Sequence, residues 1–297
     1  MSIYTNQMQA HCDRFEAALP AYMPATGGLQ TVVAEAMAYA CEGGGKRIRP
    51  VLMMEFCRLC GGDPEAALPF AAAMEMIHSY SLVHDDLPCM DNSPQRRGRP
   101  STHVVVGETM ALLAGDGLLN LAFETMLRPE NRGSLPADRV LGAAYALADA
   151  SGIEGMVGGQ VIDLESEGKP IGLSVLEELQ RGKTAALLIA SCVMGVRLAG
   201  GTAEQEQAAR VFGENIGLSF QIVDDILDVT ATAEALGKPV GSDAENEKVT
   251  YVSLLGLEEA RRLAARRTDE ALAVLDAFAA DTDSLRRLAQ ALLTRDH

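Results

Sequence analysis

Residues 64–87, PEAALPFAAAMEMIHSYSLVHDDL, carry a long apolar helical pattern that ends in two adjacent aspartates, Asp85 and Asp86. The Ala, Leu and Met residues of this stretch are strong helix formers. Pro88 is expected to stop or kink the helix just after the acidic pair, and Asp91 follows shortly beyond it. Because neighbouring carboxylates repel each other, three aspartates at the end of an apolar helix predict that a cation binds there.

The rest of the chain carries similar helical signals. Hydrophobic residues make up 48% of the 297 residues, aromatic residues only 4%, and tryptophan is absent. Helical apolar spacing recurs at residues 29–42, 51–60, 107–127, 136–150, 152–165, 174–199, 203–230 and from 257 onward. The best candidate for a strand is the short run HVVVG at 103–107. We therefore predict an all-α fold, and a single helical domain over residues 1–297 because no linker or low-complexity tract divides the chain.

Charge and composition exclude several classes of protein. The formal net charge is −16, which argues against nucleic-acid binding because a phosphate backbone would be repelled. The longest uncharged apolar stretch, residues 185–196, is too short to cross a bilayer, and the first residues do not resemble a signal peptide. These features predict a cytoplasmic protein with no stable membrane association. The lone C-x-x-C at Cys57 and Cys60 is expected to supply packing residues of a helix rather than a zinc site.

A second aspartate pair recurs in FQIVDDILDVT, residues 220–230. Asp224 and Asp228 are four residues apart and therefore share one face of a helix. Either motif alone could be a solvated helix end, but both follow apolar runs, and two such ends facing each other would surround a cavity with carboxylates. Mg²⁺ typically takes one or two carboxylates and completes its shell with waters and substrate phosphates. The two motifs thus predict Mg²⁺ and a phosphate-bearing partner.

Two segments concentrate positive charge in this acidic chain: GGGKRIRP at residues 43–50 and QRRGRP at residues 95–100. Glycine lets a ligand approach the backbone closely. The guanidinium group of arginine binds phosphate through two parallel hydrogen bonds, and lysine adds a point charge. Carboxylates with metal and glycine loops with cations together predict two phosphate sites, one reached through metal and one bound directly.

With these motifs the chain resembles the trans-type polyprenyl diphosphate synthases, most of all bacterial short-chain farnesyl diphosphate synthases. The resemblance rests on GGGKRIRP, IHSYSLVHDDLPCMDN, RRGRPSTH, LAGDGLL, GGQVIDL, GKTAALL, FQIVDDILDVT and LGKP, which come in the order of that family. It implies a bundle of helices around a deep central cavity, and a homodimer.

The resemblance also implies roles for individual residues. The expected Mg²⁺ ligands are Asp85, Asp91 and Asp224, with Asp86, Asp225 and Asp228 supporting them from nearby. The expected residues of the allylic diphosphate site are Arg96, Lys183, Thr184, Gln221 and Lys238. The expected metal-free isopentenyl diphosphate site is Lys46, Arg49, His78 and Arg97. Thr184 and Gln221 would stabilise a carbocation with their oxygen dipoles, so the catalytic set is Lys183, Thr184, Gln221 and Arg96.

The implied reaction joins isopentenyl diphosphate to dimethylallyl or geranyl diphosphate. Tyr80 lies five residues before Asp85, roughly 7–8 Å below the metal ligands along a helix, and would close the floor of the cavity at the fifteen-carbon farnesyl product. A geranylgeranyl diphosphate synthase is the main alternative, because DDLPCMDN also occurs in such enzymes. A class I terpene cyclase, a non-catalytic synthase-like subunit and a helical scaffold are weaker alternatives. His78, Tyr80 and Thr184 could each instead have a purely structural role.

Overall fold

The structure is a computed structural model that describes residues 3–230 and 248–295. Its helices are α1 (Asn6–Ala18), α2 (Thr31–Cys41), α3 (Ile48–Leu59), α4 (Leu68–Asp85), α5 (Thr102–Val106), α6 (Glu108–Leu127), α7 (Pro129–Arg132), α8 (Ala137–Ser151), α9 (Met156–Ser166), α10 (Leu173–Gln180), α11 (Ala186–Ala199), α12 (Ala203–Thr230), α13 (Tyr251–Leu255), α14 (Leu257–Ala273) and α15 (Asp283–Leu293). A π-helical turn, Arg181–Ala185, joins α10 to α11. Short 3₁₀ turns occupy Leu19–Tyr22, Pro64–Ala67 and Val274–Ala277.

The architecture is a helical bundle, which confirms the all-α prediction. Helix α4 lies at its centre, packed against α3 and α6, while α11 packs against α3, α8 and α12. Helix α12 is covered on its outer side by α14. Most residues of α4 and α11 are buried, which explains why both read as nearly continuous apolar runs rather than as amphipathic stripes.

Helix α4 ends where the sequence predicts. Its last residue is Asp85, and Pro88 lies in the loop that follows. The backbone N–H of Asp91 donates to the carbonyl of Asp85 at 2.9 Å, and that of Asn92 donates to the carbonyl of Leu87 at 3.1 Å. These bonds fold the loop back over the end of the helix, so that Asp91 remains close to the acidic pair.

The strand expectation for residues 103–107 is wrong, because Thr102–Val106 form the short helix α5. The backbone of Gly107, at φ 82, ends this helix, and α5 packs against α6. Strand propensity depends strongly on context, and a run of three valines without a pairing partner does not determine the conformation. Among the described residues, the only strands are β1 (Gln95–Arg96) and β2 (Arg99–Pro100).

Strands β1 and β2 form an antiparallel hairpin within QRRGRP, pairing Arg96 with Arg99. The two loop residues, Arg97 and Gly98, have φ values of 52 and 72. Positive φ at both central residues is the signature of a type I′ turn, whose twist matches that of a hairpin. The turn therefore fixes where the arginine side chains of this segment project.

Two helical segments are long and apolar enough to span a membrane by length and composition, Glu108–Leu127 and Leu173–Ala199. The second exceeds the uncharged stretch identified in the sequence because it also includes α10 and the π-helical turn. Of their apolar windows, 44% and 61% of the residues are buried inside the bundle. Core helices of soluble proteins have this composition, and the predicted absence of stable membrane association stays compatible with both segments.

Candidate active site

A cavity of about 590 Å³ opens between α4, α9, the π-helical turn and α12. Its apolar wall on α9 includes Val157, Val161 and Leu164, which are 42%, 48% and 39% exposed although they are aliphatic. The polar side chains that line it include eight residues singled out in the sequence: Arg49, His78, Tyr80, Asp85, Arg96, Lys183, Thr184 and Gln221. Five separate segments thus bring most of the predicted site together around a pocket that is apolar on one side and charged on the other.

Asp85, at the end of α4, is the acidic centre of this cavity. Its Oδ1 accepts a hydrogen bond of 2.7 Å from Nε2 of Gln160, and its Oδ2 lies 4.0 Å from Nζ of Lys183. Burial raises the pKa of Asp85, Lys183 opposes that shift, and Asp91 adds to it. A partly buried carboxylate beside another carboxylate is a suitable place for a divalent cation.

Asp86 and Asp91 have different environments although both belong to the first motif. Asp86 is 3% exposed, and both of its oxygens accept hydrogen bonds from Arg96, at 2.6 to 2.9 Å. Asp91 is exposed in the loop. Asp86 therefore orients Arg96, and of the three aspartates of the first motif only Asp85 lines the cavity.

The π-helical turn presents Lys183 and Thr184 to the cavity. Nζ of Lys183 donates to Oδ2 of Asp163 on α9, and the two side chains form a short ion pair. Although burial alone would lower the pKa of Lys183, Asp85 and Asp163 raise it, so the ammonium form is stabilised. π-Helical turns are rare and occur often at functional sites. Neither the turn nor Asp163 was identified from the sequence, although Asp163 lies within the quoted GGQVIDL segment.

Glycine faces allow α9 to approach this turn closely. A Cβ atom at Gly159 would lie 2.1 Å from the backbone nitrogen of Lys183, and one at Gly182 would lie 2.9 Å from the carbonyl oxygen of Gly155. Any side chain at residue 159 would push the turn away from α9. The GGQ and RGK segments are thus needed for the backbone contact that places Lys183 beside Asp85.

Gln221 and Asp225 form a polar chain on α12. The Thr184 hydroxyl lies 3.1 Å from Oε1 of Gln180 and 3.5 Å from Oε1 of Gln221. Nε2 of Gln221 donates to Oδ1 of Asp225 at 3.1 Å, and the backbone N–H of Tyr251 donates to Oδ2 of Asp225 at 2.8 Å. Asp225, which is 4% exposed, therefore orients Gln221 and also anchors the start of α13.

Asp224 pairs with an arginine that the sequence analysis missed. Nη2 of Arg295 donates to Oδ1 of Asp224 at 2.6 Å, and the Arg295 guanidinium stacks 3.9 Å from the ring centroid of Phe220. The side chain of Arg295 is 6% exposed and that of Asp224 is 40% exposed. Asp228, one turn further along α12, is buried. No local motif marks Arg295, because it lies 71 positions from its partner.

The two basic segments converge on His78. Nη1 of Arg49 lies 3.4 Å from Nε2 of His78, and Nη2 of Arg97 lies 3.3 Å from the same atom. Burial, reinforced by Arg49 and Arg97, lowers the pKa of His78 well below its ordinary value. The imidazole is therefore neutral at pH 7, with Nε2 unprotonated so that it can accept from both guanidinium groups.

The glycine loop completes this basic cluster. Arg97 donates to the carbonyl of Gly44, and a Cβ atom at Gly45 would lie 2.8 Å from the Arg97 guanidinium. Burial lowers the pKa of Arg49 to about 10, and Arg97 adds to the effect while Glu75 opposes it. The guanidinium groups of Arg49 and Arg97 thus lie close together beside the glycine backbone of residues 43–45. This arrangement is a suitable site for an anion.

The remaining basic residues divide into structural and candidate site residues. Arg47 is 3% exposed and donates to Glu75 at 2.6 Å and to Glu16 at 2.7 Å, so it stabilises the loop before α3. Lys46 is exposed, and its pKa is lowered by burial of part of the side chain and by Arg295, against Asp224. Lys238 lies outside the described residues.

The carboxylates of the site fit a metal ion whose coordination shell is completed by substrate oxygens. Within residues 3–230 and 248–295, no three acidic, histidine or cysteine side chains are close enough together to hold a metal ion alone. The carboxylate oxygens of Asp85, Asp91 and Asp224 are hard donors of the kind that Mg²⁺ prefers, and Mg²⁺ commonly uses one or two carboxylates together with substrate phosphates.

The sequence matches one family model and several named relatives. The polyprenyl synthetase family model matches residues 30–291. Farnesyl diphosphate synthase of Geobacillus stearothermophilus is 45% identical over 95% of this chain and 94% of its own. The chloroplastic heterodimeric geranylgeranyl pyrophosphate synthase large subunit 1 of Arabidopsis thaliana is 48% identical over 83% of this chain and 67% of its own.

Solved structures show the same fold. An FPP/GFPP synthase from Zymomonas mobilis superimposes with a TM-score of 0.85 at 36% identity, covering 97% of both chains. A family match over most of the chain, a bacterial relative aligned almost end to end and a matching bundle all agree. The chain therefore belongs to the polyprenyl synthetase family and is a short-chain trans-prenyl diphosphate synthase, a prenyltransferase.

Proposed function

We propose that the protein is a farnesyl diphosphate synthase, which condenses isopentenyl diphosphate with dimethylallyl diphosphate and then with geranyl diphosphate. The observation that carries the product assignment is Tyr80, which lines the cavity on the helix that ends at Asp85. The side chain is 8% exposed, and in this proposal its ring closes the pocket to a longer prenyl tail. The Geobacillus relative bears the farnesyl name and the Arabidopsis relative the geranylgeranyl name, so the chain length has to be argued from the cavity.

The proposed mechanism begins when the carbon–oxygen bond of the allylic substrate breaks and its diphosphate group leaves. Lys183 and Arg96 supply fixed positive charge at the end of the cavity where negative charge develops. Asp85, Asp91 and Asp224 would hold Mg²⁺, which when bound supplies Lewis-acid stabilisation of the leaving diphosphate. Asp86 keeps Arg96 in place through its bidentate pair.

The second half of the reaction needs a protected carbocation and a fixed nucleophile. Thr184 and Gln221 line the cavity, and their oxygen dipoles would stabilise the cation without offering a carboxylate that could capture it. Arg49, Arg97, His78 and Lys46 would hold isopentenyl diphosphate without metal. Its double bond then attacks the allylic carbon, and the proton that is lost passes to the released diphosphate. Lys238 remains a proposed contact of the allylic diphosphate.

Replacing Tyr80 with alanine tests the product assignment. The change removes the ring that is proposed to close the cavity, so the prenyl tail should extend further before it meets a wall. Wild-type protein with isopentenyl diphosphate and geranyl diphosphate should give fifteen-carbon product, and Tyr80→Ala should give mainly products of twenty carbons or more, as measured by chromatography of the dephosphorylated prenols. Identical distributions from the two proteins would contradict a floor at Tyr80, and a twenty-carbon wild-type product would favour the geranylgeranyl alternative.

We also propose that the protein is cytoplasmic, where the free thiols of its described cysteines would stay reduced.

We further propose that the protein is a homodimer. Helices α5, α6 and α8 carry large exposed apolar side chains, namely Val104, Val105, Leu112, Leu113, Leu141 and Tyr145, which are 45% to 66% exposed. Such a surface is typical of an interface, and two-fold homodimers are the commonest assemblies. Light scattering should give twice the chain mass of 31.5 kDa for wild type and a single chain for Leu141→Asp; a monomeric wild type would contradict the dimer.

A further inference from the structure

The Tyr80 ring is supported from one side by a second aromatic ring. His84 lies one helical turn after Tyr80 on α4, and the two ring centroids are 5.7 Å apart with an angle of 81° between the ring planes. This edge-to-face arrangement is a preferred geometry of aromatic pairs. Both side chains line the same cavity, so the position of His84 limits how far the Tyr80 ring can turn.

His84 is in turn fixed by α6. Its Nε2 lies 3.0 Å from the carbonyl oxygen of Leu112 and 3.9 Å from Oδ1 of Asp116. Because a carbonyl oxygen can only accept, Nε2 carries the proton in this hydrogen bond. The imidazole is thus tied to the backbone of a neighbouring helix, and not only to its own.

Gly115 provides the space that the imidazole occupies. A Cβ atom at residue 115 would lie 2.1 Å from Nε2 of His84 and 2.3 Å from its Cδ2. No side chain at residue 115 could coexist with the ring in this position. Gly115 belongs to the LAGDGLL segment, to which no role in the active site was assigned above.

We infer that His84, seated in the space left by Gly115, is a positioning residue that sets product length by holding the Tyr80 ring across the cavity. The inference rests on the proposed function, in which Tyr80 is the floor. His84 does not itself need to touch the substrate. Its removal leaves the Tyr80 side chain in place but free to rotate away from the growing prenyl tail.

The test compares product length for wild type, Tyr80→Ala, His84→Ala and the double variant. His84→Ala should raise the ratio of twenty-carbon to fifteen-carbon product about 2- to 12-fold, the factor that corresponds to the loss of one aromatic edge contact. The double variant should match Tyr80→Ala alone, because His84 acts through Tyr80. Circular dichroism and total turnover are measured for each protein to check that it is folded and active.

Gly115→Ala offers an independent route to the same result. The new methyl group displaces the imidazole from the Leu112 carbonyl, so this variant should also lengthen the product. In the His84→Ala background, Gly115→Ala should have no further effect on length, because the colliding ring is gone. Gly117→Ala is the matched control, since a Cβ there meets the flexible end of Met37 and should leave the distribution unchanged.

The outcomes separate this inference from the assignment of the floor. A wild-type distribution from His84→Ala, when Tyr80→Ala lengthens the product, overturns the role of His84 and leaves the floor intact. A double variant that makes longer products than Tyr80→Ala overturns it as well, because His84 would then act independently. If Tyr80→Ala changes nothing, both the floor and the positioning role are refuted, whatever His84→Ala does.

Discussion

Asp85→Asn is expected to lower turnover by about 10²- to 10³-fold, a loss typical of removing one preorganised charge-stabilising group from an active site. Asparagine keeps the size of the side chain and can still accept the hydrogen bond from Gln160, so the fold should be preserved. What disappears is the negative charge that would hold Mg²⁺ with the diphosphate. Asp224→Asn should have an effect of similar size, because it removes the corresponding charge from α12.

A binding measurement distinguishes lost metal from lost chemistry. Inorganic diphosphate with Mg²⁺ should raise the melting temperature of the wild type, as any ligand of the folded state does, and should raise those of Asp85→Asn and Asp224→Asn much less. Asp138→Asn, at the exposed start of α8, is the matched control and should behave like wild type. Near-normal turnover of either site variant, with Mg²⁺ as the only divalent ion, would contradict the two-motif metal site.

Much of the fold and site could be predicted from the sequence, because the signals were local. The end of α4 follows from helix formers that run into two aspartates and a proline. The meeting of Arg49 with Arg97 at His78 was also expected, although only the resemblance to a family linked the three. Spacing along one helix was reliable wherever the helix itself was correctly placed.

The unpredicted features depend on contacts between distant segments. The π-helical turn that carries Lys183 has no sequence signature, since it arises where α9 packs glycine against glycine. The pairs Lys183–Asp163 and Asp224–Arg295 join different helices. The valine run at 103–107 suggested a strand, but these residues form α5, which ends at Gly107 and packs on α6 rather than on another strand.

The role of Arg47 shows a further limit. The sequence places it in the same basic segment as Lys46 and Arg49, and charge alone cannot divide the three. In the fold, Arg47 turns inward because Glu75 lies buried on α4, whereas Arg49 reaches His78. A buried arginine needs its carboxylate partner, and the position of that partner is a property of packing rather than of the segment itself.

The proposed isopentenyl diphosphate site gives the second large expected effect. Arg49 is partly buried beside Arg97 and a neutral His78, and its Nε–H has no hydrogen-bond partner among the described residues. Its guanidinium therefore keeps a donor and a positive charge ready for an anion. Losing a hydrogen bond to a charged group costs about 1.5–3 kcal/mol, which corresponds to roughly a 10- to 150-fold weakening of binding.

Arg49→Gln should accordingly raise the KM for isopentenyl diphosphate by about 10- to 150-fold and change the KM for geranyl diphosphate far less. Lys46→Ala should shift the two constants in the same sense, and Lys238→Ala in the opposite sense. Arg99→Gln is the matched control, because Arg99 belongs to the hairpin next to Arg97 but stacks on Tyr39 of α2 at 4.2 Å, and no substrate contact is assigned to it. Steady-state kinetics with each substrate varied in turn decides the matter: equal changes in both constants for Arg49, Lys46 and Lys238 would mean that the two diphosphate sites are assigned incorrectly.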